Sequence, residues 1–172
     1  MVSGTPYPAG NGSGIFCLFP SQYRDTIKSM EKKVLLFGFN DFAGRALASN
    51  LKSQLRDKAI TVCSIEKKHY MVPLGFLASQ AGGEKAAESS VTEIPGMPPV
   101  TPYDGSELPV RILLFCGVIS EELDQALAVC RSCGVGRDDL KAILTPHNAL
   151  WNALLLSQEL MSEHEQMKRQ GR

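Results

Sequence analysis

Lys141-Ala-Ile-Leu-Thr-Pro-His-Asn-Ala-Leu-Trp151 is the stretch whose reading decides the fold. Leu140–Leu144 is a short apolar strand of the buried kind. Thr145-Pro-His-Asn148 is a corner, because Thr, Pro and Asn each favour turns or first helical positions. A helix is expected from Asn148 to about Gln166, apolar on more than one face through Leu150, Trp151, Leu154, Leu155, Leu156, Leu160 and Met161. Upstream, Ser120–Cys133 reads as a helix with Ser120 as its cap. Ile119, Leu123, Ala126, Leu127 and Cys130 form its apolar stripe, and Gly134 is its left-handed stop. Val110–Phe115 is another buried-type strand. Arg111–Gln166 therefore reads strand, helix, strand, helix.

The same order is legible earlier. Val34–Phe37 is a strand, Asp41–Leu55 a helix capped by Asp41, and Ala59–Ile65 a β-branched strand. A short helix from about Pro73 to Gln80 follows, stopped by Gly82-Gly83. Lys33-Val-Leu-Leu-Phe37 matches Arg111-Ile-Leu-Leu-Phe115 at an offset of 78 (111 − 33), and Ala59–Ile65 overlays Asp139–Thr145 at 80 (139 − 59). The predicted fold class is α/β: two β-α-β-α half-repeats packed together, with mostly parallel strands, joined by a long Pro-rich linker. The units are 30–81 and 110–172. Residues 82–109 hold five of the ten prolines and no apolar period, so they read as an extended or disordered linker that marks a boundary or a flap over a site. Residues 1–29 read as a disordered extension ahead of Met30, which is taken as the natural start; a floppy native N-terminus is the alternative.

Composition excludes several classes. Lys plus Arg equals Asp plus Glu at 18 each, and no basic face is visible, so nucleic acid is not an expected partner. No apolar run approaches the ~20 residues of a membrane span. Five cysteines and no secretory signal point to a reducing cytoplasm.

Four places could carry chemistry. Gly38 and Gly44 resemble the outer glycines of a dinucleotide-binding turn, but Asp41 stands where the backbone must approach a pyrophosphate; they read as structural turn glycines. Cys130-Arg-Ser-Cys133 closes a helix, where the dipole raises a thiol pKa, so it reads as packing. Cys116 follows a strand end and could use His147 as a base. The corner itself, with Thr145, His147, Asn148 and Trp151, is the preferred ligand site. A helix opening there would point free amides outward, and His147 adds an imidazole. Capping alone explains the same residues. No cofactor and no metal ligand set is expected.

Ile112-Leu-Leu-Phe115, Glu122-Leu-Asp124, Lys141-Ala-Ile-Leu-Thr145, Asn148, Trp151 and Glu163-His164 resemble the bacterial domain-of-unknown-function family DUF3783, over about the last 60 residues. The resemblance implies a small α/β module and carries over no site residues. The functional expectation is a small cytoplasmic binding or regulatory protein that holds a small molecule near the corner. The alternatives are an enzyme using Cys116 and His147, or an assembly module that self-associates through the last helix.

Overall fold

The computed structural model describes residues 30–80 and 99–171; the readings made for 1–29 and for 82–98, Gly82-Gly83 included, lie outside them. The elements in order are β1 (Lys33–Phe37), α1 (Phe42–Arg56), β2 (Thr61–Ser64) and a 3-10 turn at Lys67–His69. Then come α2 (Leu74–Ser79), β3 (Ile112–Cys116), α3 (Ser120–Cys133), β4 (Leu140–Ile143) and α4 (Ala153–Gln170). The four strands form one sheet in the order β2-β1-β3-β4. β1 and β2 are parallel, as are β3 and β4, while the central β1–β3 pair is antiparallel. The class is mixed α/β, with most strand pairs parallel.

The continuous apolar strands are explained by cover on both faces. Side chains alternate across a strand. Val34 and Leu36 of β1 join Leu113 and Phe115 of β3 on one face, under Leu51 and Leu55 of α1 and Ala126 and Cys130 of α3. Leu35, Phe37, Ile112, Leu114 and Cys116 occupy the other face, against Tyr70, Leu74 and Leu77 and against Ala153 and Leu156 of α4. The broad apolar surface of α4 thus meets both its own sheet and the α2 region. Asp41 caps α1 by accepting from the Gly44 amide at 3.0 Å, as expected. Gly134 closes α3 at φ +103, also as expected. Ser120 is not the cap: Ile119 holds that position without a side-chain bond, and Ser120 is the first helical residue.

The register is regular. Lys33 to Ile112, Thr61 to Leu140 and Leu74 to Ala153 are each 79 residues apart (112 − 33, 140 − 61, 153 − 74), and Phe42 to Ser120 is 78 (120 − 42). Leu35 pairs with Leu114, Lys33 with Cys116, and Phe37 with Ile112, which centres the antiparallel seam on Leu35–Leu114. Gly38 and Gly117 follow β1 and β3 with φ of +80 and +66. Two ion pairs cross the seam: Arg111 to Asp41 at 3.1 Å, and Lys32 to Glu122. Each joins the residue just ahead of one central strand to the start of the helix that follows the other.

Two glycines separate backbone conformation from packing. A Cβ on Gly117 would lie 2.6 Å from the Met30 carbonyl oxygen, whereas one on Gly134 would meet nothing within 4 Å. Gly134→Ala should therefore cost only the left-handed penalty of about 1–2 kcal/mol. Gly117→Ala should cost clearly more in urea unfolding. Equal losses would show that the chain at Met30 gives way freely.

Candidate functional site

The corner forms, but not as a helix start. Pro146–Leu150 is a run of turns, and α4 opens only at Ala153, capped by Asn152, whose side chain accepts from the Leu155 amide at 2.9 Å. The expected start at Asn148 is four residues or more too early. The reason is the use made of Asn148. Its Oδ1 accepts from Thr145 N at 2.8 Å, and its Nδ2 donates to Ile143 O at 3.0 Å. The Asn148 amide lies 3.4 Å from Thr145 Oγ1, and the Ala149 amide donates to Thr145 O at 3.0 Å. The amides of Thr145, Asn148, Ala149 and Trp151 are thus bonded within the corner and do not point outward as those of a helix start would.

Its carbonyls do work elsewhere. α2 has no side-chain cap, and its first amides, Leu74 and Gly75, donate to Trp151 O and Ala149 O, both at 2.8 Å. In return the Ala153 amide donates to Tyr70 O at 3.0 Å. The two strand-to-helix corners therefore cap each other's helices.

The side chains of the corner leave an opening. His147 meets Trp151 edge to face, with ring centroids 5.2 Å apart. Both line a groove of about 460 Å³ that runs along β4, between Leu123 and Leu127 of α3 and Leu156 and Leu160 of α4. Ile143 stands in this groove 45% exposed. Of the residues expected to bind, His147, Asn148 and Trp151 line it, and Thr145 is tied to Asn148 beside it.

Cys116 is not in the groove. It is fully buried on the opposite face of the sheet from Phe115, and burial pushes its thiol up to about 12. That is the reverse of an activated thiolate. Burial likewise lifts Cys130 to about 11, in keeping with a packing role. The glycine turn after β1 is also occupied: the Asp41 carboxylate lies at the start of α1, bonded to Gly44 N and to Arg111. Desolvation works against its ionisation, but these partners together hold it below the usual carboxylate range.

The structure adds a constellation that the sequence reading missed. Tyr70 is fully buried, and its hydroxyl donates to Glu107 Oε1. It accepts from Gly38 N at 2.9 Å and from Asn40 Nδ2 at 3.1 Å, while Asn40 also reaches Glu107 Oε2 at 2.7 Å. Burial, then the bond to Glu107, push the Tyr70 hydroxyl well above its usual range. Partial burial raises Glu107, but its bonds from Tyr70, Asn40 and the Leu108 amide outweigh this and hold it low. The Tyr103 amide donates to Lys68 O at 3.0 Å, and its ring lies 6.0 Å from that of Tyr70. The end of the linker, residues 99–109, is thus an irregular strap closed over the strand end of β1. Apart from the bond from the neighbouring Leu108 amide, these bonds join residues 30 or more apart, so no local pattern announces it. His69 beside it is buried, and burial with Lys68 nearby lowers its pKa.

Fold and site together define a mixed α/β domain with one strand end closed by a strap and an open groove along its β4 edge. Residues 111–167 match the family model of a domain of unknown function, DUF3783, and this span contains β3, α3, β4, the corner and most of α4. No curated protein and no solved structure matches the chain. No helix among the described residues is long and apolar enough to cross a membrane.

Tyr70→Phe leaves the Gly38 amide without its acceptor and should cost about 1–3 kcal/mol in chemical unfolding. Glu107 has a folded pKa below its unfolded value. Its contribution is therefore complete above about pH 4.3 and vanishes as pH falls through the folded value. Glu107→Gln should flatten that acid-side loss in a stability–pH series; an unchanged slope would remove Glu107 from the latch.

Proposed function

We propose that the protein is a non-enzymatic binding module whose ligand occupies the groove beside β4, next to the Thr145–Trp151 corner. The observation that carries this is an apolar groove of about 460 Å³ walled by the His147–Trp151 pair. Its size falls within the range of ligand pockets. Binding is favoured over catalysis because the candidate thiol nucleophile, Cys116, is buried, protonated and outside the groove. A reducing, cytoplasmic setting fits the free thiols of Cys116, Cys130 and Cys133.

We infer further that the two halves descend from one β-α-β-α unit. The spacing of 78 or 79 between matching element starts, the paired left-handed glycines and the reciprocal ion pairs support this reading. It also explains why the second corner is the one to bind. Tyr70, which receives the strap in the first half, corresponds to Ala149 in the second (149 − 70 = 79).

Trp151 is the only tryptophan in the chain, so its emission reports on the groove. Titration with a library of small metabolites and short peptides should give saturable emission changes, abolished by Ile143→Asp. A ligand at 100 times its Kd should add about 2.7 kcal/mol to stability in thermal unfolding. If no compound moves either signal, the groove is not a binding site.

A further inference from the structure

The groove has a strand edge as its floor, and this indicates what fits it. Among the described residues β4 pairs with β3 alone, so its other side is an edge. Leu140 N and Leu144 N bond to Arg111 O and Phe115 O, so even-numbered residues face β3. Lys141 and Ile143 consequently turn their peptide groups outward. Asn148 takes Ile143 O. That leaves Lys141 N–H, Lys141 C=O and Ile143 N–H in line along the groove floor.

Resting on the binding reading above, we propose that the occupant is an extended peptide segment of another protein, added as a fifth strand beside β4. Its side chains would alternate between the Leu123–Leu127 wall and the α4 wall. On α4, Glu159 and Glu163 lie one turn apart and have no ion-pair partner among the described residues. Basic residues at alternate positions of the segment meet them.

A second copy of the chain fits less well. With Ile143 O already taken, the only residue free to exchange both bonds is Lys141. A two-fold edge pairing would therefore centre on Lys141 facing Lys141, and directly opposed like charges destabilise a strand pair. Lysine on an edge is a known guard against self-pairing. A metabolite would leave the aligned main-chain donors and acceptor unused.

The test is selection of a displayed library of random twelve-residue peptides on the immobilised full chain. The first control is Ile143→Pro, which removes an outward N–H and leaves the β3–β4 ladder intact. The second is the double change Glu159→Lys and Glu163→Lys, which tests the charge match even where the proline variant folds poorly. Selected peptides should carry Lys or Arg alternating with β-branched residues. Their affinity should fall about tenfold or more with Ile143→Pro, as for one lost hydrogen bond with its steric block. It should also fall on the charge reversal and with added salt.

No enrichment over a blank surface overturns the proposal, as does equal binding to both variants. If peptides fail while small molecules still shift Trp151 emission, the strand proposal falls and the binding reading stands. If neither binds, both fall.

Discussion

The antiparallel seam between β1 and β3 is the contact on which the rest of the molecule depends. Leu35 faces Leu114 at its centre, and every residue of both strands is buried. Neither strand is stable without cover on both faces, and each receives helices from both halves. The seam also sets polarity. Because each half is internally parallel, an antiparallel junction sends their strand ends to opposite edges of the sheet. The two corners then reach back across one face and cap each other's helices. The crossing ion pairs are partly exposed and add direction more than stability.

That reciprocity gives the corner two separable roles. The backbone of Ala149 and Trp151 satisfies α2, a buried helix end that would otherwise carry orphan amides. The side chains of His147 and Trp151 remain available to the groove. Asn148 joins the roles, since it closes the turn and blocks one carbonyl of the β4 edge. At the other strand end the comparable space is taken by Tyr70 and the strap. The two ends thus differ in what covers them.

Much of the fold was legible in the sequence. The four strands and the α1 and α3 helices fall within a few residues of expectation, because buried strands and amphipathic helices leave periodic patterns. Asp41 and Gly134 act as expected, since their geometry follows from residue type at a helix end. The last helix starts later than the sequence suggests because Asn148, an ordinary cap by type, is bonded backward to Thr145 and Ile143. Its helix-capping role passes to Asn152. The same residue type serves both positions, and only the course of the chain distinguishes them. Of the candidate site, His147, Asn148 and Trp151 come together because they are neighbours in sequence. Cys116 fails to join them because its side chain points to the face opposite Phe115.

By itself the sequence determined the α/β class, the element order, most boundaries and the corner as a distinct feature, all of which depend on local periodicity and residue type. The tertiary structure alone decided the antiparallel seam, the strap latched by Tyr70, Asn40 and Glu107, the mutual capping of the corners and the open edge of β4. Each of these joins residues distant in sequence. Their partners are chosen by burial and unsatisfied backbone groups across the assembled sheet, which no local pattern encodes.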